Sequence, residues 1–215
     1  LVADHPTPAP IINFGFINIS TYVMYSDLYM KLQIYNDPWQ YGIIDNFLSP
    51  ERFEIIENLA KIEFEKYKKN GINTRRGKYT NYVKDDLIPE LTKDIMIFQD
   101  HRKYDRLVKL NHWVIMAPNS YYPCHIDNIS RISTSILYVS PEKNKGTILC
   151  DNPSTNDDGD HNQPDKPSNK EVEVEWRTNR LFTHNPRPKT WHRFMAGDSE
   201  RVNLTIFFAD PDKIK

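Results

Sequence analysis

Apolar residues recur in two different rhythms along this 215-residue chain, and the change of rhythm divides it. In the first part, Tyr41-Gly42-Ile43-Ile44-Asp45-Asn46-Phe47-Leu48 reads as a short apolar strand that runs into Ser49-Pro50-Glu51. Ser49 suits a helix N-cap, because its hydroxyl can accept from a free amide of the first turn. Pro50 has no N–H to leave orphaned at the first helical position, and Glu51 suits the positive end of the helix dipole. Phe53, Ile56, Leu59 and Ala60 follow at spacings of three and four, so a helix is expected here, with Asn70-Gly71 as its stop signal. A second helix is expected from about Pro89, with Leu91, Ile95 and Phe98 on one face. Ahead of these elements, residues 17–35 alternate well enough to supply one or two strands.

After Leu107 the period shortens to two. Strand-like segments are expected at 110–116, 122–127, 132–139, 147–150, 172–176, 180–183, 191–195 and 202–208, separated by turn residues. Eight short strands in succession fit an antiparallel sandwich or jelly roll, with the helices covering one face. The stretch 152–170 is rich in Asp, Asn, Pro and Ser and reads as a solvated loop. It and the segment around Arg75 are expected to border the cleft and to become ordered with substrate. No repeat and no firm boundary interrupts the pattern, so one domain is expected. Its parts are an N-terminal extension (1–40), a strand with supporting helices (41–106) and a β core (107–210).

Composition narrows the function classes. Hydrophobic residues at 39% and charged residues at 27% are ordinary for a globular protein. The net charge of -1 leaves no global footprint for nucleic acid or an acidic membrane surface. Cys124 and Cys150 read as two small buried thiols in a reducing compartment, not as a disulfide scaffold. No run of 18 apolar residues exists to span a membrane, and Leu1 to Pro10 lacks the features of a secretory signal. A cytoplasmic protein without nucleic-acid or membrane partners is expected, its oligomeric state open.

Candidate chemistry is concentrated after residue 120. His125-Ile126-Asp127 lies at the end of a strand, where residues i and i+2 point to one side and can grip one ion. A distant His192 would complete two histidines and a carboxylate on one face of an octahedron, leaving open positions, as in non-haem Fe(II) oxygenases. A lone His-x-Asp pair arises by chance in roughly half of chains of this composition, so the rest of the half must be read with it. Arg201 opens a strand in which Arg201, Asn203, Thr205 and Phe207 share one face. Val202, Leu204, Ile206 and Phe208 share the other, which should pack on the helices. A buried Arg requires an anionic partner, and its planar fork matches a carboxylate.

These segments occur together in a known family. Tyr122-Pro123-Cys124-His125-Ile126-Asp127-Asn128, the strand from Arg131 to Ser140, Asn179-Arg180-Leu181-Phe182, Trp191-His192 and Arg201-Val202-Asn203-Leu204-Thr205 recur in that order. So ordered, they resemble the prolyl-4-hydroxylase-like branch of the 2-oxoglutarate/Fe(II) dioxygenases, over about residues 41–210. The resemblance implies a mainly β fold with flanking helices, the double-stranded β-helix (jelly roll). It places iron on His125, Asp127 and His192, and the far carboxylate of 2-oxoglutarate on Arg201. Tyr138, Thr205 and Phe207 fall on residues around that co-substrate, while Tyr122, Asn128, Arg131 and Trp191 fall near the substrate cleft. It further implies O2 as co-substrate, with ascorbate an open accessory, and hydroxylation of a C–H bond on a peptidyl or free amino acid such as proline. A small metabolite or nucleobase as substrate, and a catalytically silent jelly-roll binding module, stay open as alternatives.

Two departures are visible. Met116-Ala117-Pro118 stands where related enzymes often carry a tyrosine near the keto-acid end of the co-substrate. Phe207 and Phe208 stand where the nucleic-acid dealkylases place a second Arg. His184 reads as a loop histidine outside the metal site, and Trp113 and Trp191 read as core or pocket wall.

Overall fold

The computed structural model describes residues 20–25, 28–70, 78–91, 106–128, 130–151, 170–186 and 188–213. The strands in chain order are β1 (Ser20–Tyr25), β2 (Leu28–Tyr35), β3 (Tyr41–Ile44), β4 (Lys78–Val83), β5 (Val108–Met116) and β6 (Tyr121–His125). They continue as β7 (Arg131–Ser140), β8 (Thr147–Cys150), β9 (Glu171–Val174), β10 (Leu181–His184), β11 (Trp191–Met195) and β12 (Arg201–Ala209). Helix α1 (Pro50–Asn70) lies between β3 and β4, and a 3-10 turn at Pro211–Lys213 follows β12. The expected second helix does not begin at residues 89–91, where 89 and 90 form a turn; its remainder, residues 152–169 of the expected 152–170 loop, and the Arg75 segment lie outside the described residues.

Two antiparallel sheets face each other. The larger runs β1-β2-β3-β10-β7-β12-β5-β4, and the smaller runs β6-β11-β8-β9. This is a mainly β, jelly-roll architecture whose outer face is covered by a helix. Helix α1 begins where its residues dictate: Arg52 N donates to Ser49 Oγ at 3.3 Å, and Phe53 N donates to the Ser49 carbonyl at 2.8 Å. Its Ile56, Ala60 and Tyr67 are buried on the outer face of the large sheet, against Val202, Leu204, Ile206 and Phe208 of β12. The apolar half of the β12 alternation is thus spent on the helix, and the polar half must face inward.

Asn179 locks the entry strand onto the core. At φ 59 it takes the left-handed conformation, which Asn tolerates better than most residues. Its side-chain amide bridges the backbone of Leu48, with Oδ1 accepting from Leu48 N at 2.9 Å and Nδ2 donating to Leu48 O at 2.8 Å. Its own N–H donates to Tyr138 O, and its carbonyl accepts from Phe47 N, each at 2.9 Å. Beside it Arg180, buried, forms a two-pronged pair with Asp45 at 2.5 and 2.9 Å. Between β7 and β8, a Cβ added at Gly146 would come within 1.8 Å of the Val174 carbonyl oxygen. Only glycine permits that approach, and it sets the position of the next residue, Thr147.

Candidate metal and carboxylate site

The inward faces of β5, β7 and β12 and the ends of β6 and β11 enclose a cavity of about 190 Å³. Antiparallel pairing sets its lining. Thr205 lies opposite both His112 on β5 and Ile136 on β7, and Arg201 lies opposite Met116. His192 on β11 lies opposite His125 on β6, so two histidines distant in sequence meet at one point.

His125, Asp127 and His192 are buried, and one ligand-type atom from each lies within 4.8 Å of the others. Their protonation suits a cation. Burial lowers His125 to about 4, against the opposing pull of Asp127 and the Pro123 carbonyl. Burial, followed by the nearby His125, lowers His192 well below the usual imidazole range. Burial pushes Asp127 upward, but the Arg131 guanidinium, with His184 and His192, outweighs it and holds the carboxyl well below the usual range. At neutral pH the site is therefore two neutral imidazoles and one carboxylate. Nδ1 of His125 lies 2.9 Å from Pro123 O, and Nδ1 of His192 lies 3.1 Å from Thr190 O. A carbonyl can only accept, so each Nδ1 carries the proton and each Nε2 offers a lone pair. Arg131 holds Asp127 Oδ1 at 2.8 Å, while Oδ2 is buried with no hydrogen-bond partner among the described residues. The donor set fits a divalent ion.

Arg201 lies at the floor of the cavity, 1% exposed. Its guanidinium carbon is 5.4 Å from the Tyr138 ring centre, 5.2 Å from Trp176 and 5.0 Å from Phe194. Nη2 donates to Thr147 Oγ1 at 3.3 Å, but Nε and Nη1 are buried without a partner. No acid pairs with this cation among the described residues, and burial lowers its pKa to about 10. A fork of two free N–H groups in a desolvated pocket fits a carboxylate.

The remaining expected residues are distributed as follows. Thr205, Asn128, Arg131 and Tyr122 line the cavity, and Tyr122 meets the His125 ring edge-on at 4.7 Å. Tyr138 lies behind Arg201, its hydroxyl donating to Thr147 Oγ1 at 2.9 Å. Phe207 stands past Thr205, its ring 4.3 Å from the Arg131 guanidinium and 5.7 Å from His112; it does not line the cavity. Trp191 does not share the site. It lies one residue from His192 on the opposite face of β11 and packs with Cys124, Ile126 and Cys150.

Three further residues belong to the site and are not expected there from the sequence. His184 is in a strand, not a loop. It is fully buried, with Nε2 3.4 Å from Asp127 Oδ2 and its ring 5.0 Å from that of His192. His112 lines the cavity with Nδ1 unpartnered, and burial, then Arg131 and Lys78, lowers it to about 3. Lys78 reaches the cavity from the edge strand β4. Burial lowers its pKa to about 8, against the pull of Asp127. Alternation is the signal for His184 (with Phe182) and His112 (with Val114), whereas nothing in the sequence marks Lys78.

No protein-family model and no curated protein sequence matches the chain. Solved structures do match its fold. A prolyl hydroxylase from Trichoplax adhaerens, in complex with a hypoxia inducible factor peptide fragment, is 16% identical with TM-score 0.59, over 80% of this chain and 84% of that one. A Pseudomonas putida prolyl-4-hydroxylase is 16% identical with TM-score 0.53, over 79% and 91%. The non-heme alpha ketoglutarate dependent epimerase SnoN, from nogalamycin biosynthesis, is 13% identical with TM-score 0.53, over 79% and 76%. The chain therefore shares its jelly-roll fold with these prolyl hydroxylases and with the epimerase. No helix among the described residues is long and apolar enough to cross a membrane.

Proposed function

We propose that this chain, acting as one domain, is an Fe(II)- and 2-oxoglutarate-dependent dioxygenase. In this reading it hydroxylates a C–H bond of a peptidyl or free amino acid such as proline. One observation carries it: a cluster of two neutral imidazoles and one carboxylate and a desolvated, partnerless guanidinium open into the same cavity. The cluster by itself would suit a structural ion, and the guanidinium by itself would suit any small anion. Together they offer what 2-oxoglutarate needs, a cation to chelate its keto-acid end and a fork for its far carboxylate.

His125, Asp127 and His192 would hold the iron. When bound, it supplies O2 activation coupled to oxidative decarboxylation of 2-oxoglutarate to succinate and CO2. The chain's own residues contribute order and dryness. The carbonyls of Pro123 and Thr190 fix the tautomer and tilt of the two imidazoles. Arg131 keeps Asp127 ionised by holding Oδ1, and leaves Oδ2, 3.4 Å from His184 Nε2, without a hydrogen-bond partner among the described residues. Tyr138, Trp176 and Phe194 exclude water around Arg201, so its pairing with a carboxylate is made in a low-dielectric setting. Thr147 steadies the guanidinium, and Gly146 permits Thr147 its place.

The fold supports this reading by likeness, and likeness leaves the substrate open, since an epimerase shares the architecture. The test is conversion of 2-oxoglutarate to succinate with Fe(II) and O2, alone and with proline-containing peptides, free proline and ascorbate. Iron-dependent succinate formation, raised by one of these substrates, is the expected result. No succinate under any condition would favour a silent binding module.

A further inference from the structure

Cations stand at both ends of the cavity, and only one end is accounted for by the co-substrate. Arg201 lies at the floor, fully shielded. Lys78 and Arg131 lie at the mouth, both partly exposed. Arg131 has its partner in Asp127. Lys78 has no ion pair among the described residues. Its Nζ sits 4.1 Å from the ring centre of Tyr122 and 5.7 Å from that of Phe194, so aromatic faces hold it where a carboxylate would otherwise be expected. Aromatic contact offsets part of the desolvation of an ammonium, but leaves its hydrogen-bond donors unmatched.

Position separates Lys78 from the Arg201 end. Lys78 and Arg201 both lie opposite Met116, on either side of β5. Their backbones are therefore two strand spacings apart, roughly 10 Å, and both head groups meet the Phe194 ring, Lys78 Nζ at 5.7 Å and the Arg201 guanidinium carbon at 5.0 Å. The charges that act on Lys78 are those of Asp127 and Arg131, beside the metal cluster. In the complex proposed above, Asp127 pairs with Arg131, and the two carboxylates of 2-oxoglutarate are taken up by the metal and by Arg201. Lys78 is then the cation at the mouth without an anionic partner among the described residues, and its N–H donors face the cavity entrance.

We propose that Lys78 anchors a carboxylate on the primary substrate, and so selects substrates that carry one. This rests on the oxygenase reading of the same cavity. One ammonium can be matched by one carboxylate, which both carries the opposite charge and accepts its N–H donors. Tyr122 and Phe194 form the adjoining wall, and their stacked rings, 5.2 Å apart, present an apolar surface to the body of the substrate. The substrate class is therefore an organic acid with an apolar or saturated-ring portion near its carboxylate, as in a free amino acid or an acidic position of a peptide.

The test uses the whole chain loaded with Mn(II) and 2-oxoglutarate, so that no turnover occurs and Arg201 is already occupied. Free amino acids and their N-acetyl derivatives, each beside its carboxamide, are titrated by calorimetry into wild type, Lys78→Gln and Lys78→Arg. In wild type the best carboxylates should bind roughly tenfold or more tighter than their amides, as a hydrogen bond to a charged group implies. Lys78→Gln should reduce that ratio to near one, and Lys78→Arg should restore most of it. Affinity for 2-oxoglutarate should be unchanged in both variants. The inference is overturned if no carboxylate outranks its amide, or if the preference survives Lys78→Gln. It is also overturned if Lys78→Gln weakens 2-oxoglutarate itself, which would move Lys78 to the co-substrate. Failure of wild type to bind 2-oxoglutarate at all would instead sink the oxygenase reading, and this inference with it.

Discussion

Arg201 offers a sharp test because a ligand-binding cation and a structural cation respond to removal in opposite ways. Arg201 is 1% exposed, with Nε and Nη1 unpartnered and one long contact, 3.3 Å, from Nη2 to Thr147. Burial lowers its pKa from the usual arginine range to about 10, a displacement that corresponds to on the order of 3 kcal/mol for keeping the cation charged in the empty fold. Replacing it with Met should therefore leave the metal- and ligand-free protein as stable as wild type, or more so. Arg180 is the internal control. It is also buried, but it holds both oxygens of Asp45 and the Glu175 carbonyl, so Arg180→Met should cost about 3–5 kcal/mol. Binding should reverse the order. Loss of the guanidinium leaves the far carboxylate of 2-oxoglutarate buried and unpaired, a penalty of about 2–5 kcal/mol, or roughly 30- to several-thousand-fold in affinity. Arg201→Lys, which keeps charge but not the fork, should fall between. Urea unfolding of the free protein and calorimetric titration of the Mn(II)-loaded protein with 2-oxoglutarate measure the two sides. Destabilisation by Arg201→Met as large as that by Arg180→Met, with 2-oxoglutarate affinity intact, would refute the assignment.

The buried neutral histidines set a pH dependence. His112 has a folded pKa of about 3 against an ordinary 6.5, so below 6.5 the unfolded chain binds the proton first and stability falls as pH falls, toward the folded value. Between pH 6.5 and 5, urea unfolding of the metal-free protein should show His112→Gln losing about 1–2 kcal/mol less than wild type; equal losses would contradict this. Asn179→Ala removes both bonds to the Leu48 backbone and should cost about 2–5 kcal/mol in the same measurement, with a cost under about 1 kcal/mol counting against the clamp.

Strong periodicity makes most of the fold legible. The two-residue rhythm after residue 107 corresponds to β5 through β12, and α1 begins at Ser49-Pro50 as their chemistry requires and runs to Asn70. Strand β4 leaves no such trace because it is an edge strand with no fully buried residue. Neither of its faces is apolar enough to write an alternation, and Lys78 is hidden with it. His184 reads as a loop residue because Asn185-Pro186 follows it, a turn signal that ends the expected strand one residue early. The faces of β12 are readable from the sequence, since its apolar half meets α1 and its polar half meets the cavity. What alternation does not supply is the partner across the sheet. His112 faces the cavity because register places it opposite Thr205, and register is a property of the pairing, not of either strand alone. Trp191 shows the converse, since its neighbour His192 enters the site and alternation alone sends the tryptophan into the core.

The most direct test of the metal and co-substrate site is anaerobic titration of 2-oxoglutarate into the Fe(II)-loaded chain, followed by visible charge-transfer absorbance. Wild type and Asp127→Ala are compared, with iron content measured alongside. Wild type should hold one iron per chain and develop a saturable band. Asp127→Ala should lose both, because it removes the only carboxylate of the cluster. A wild type without the band, or an Asp127→Ala variant that retains iron and band unchanged, would contradict the site.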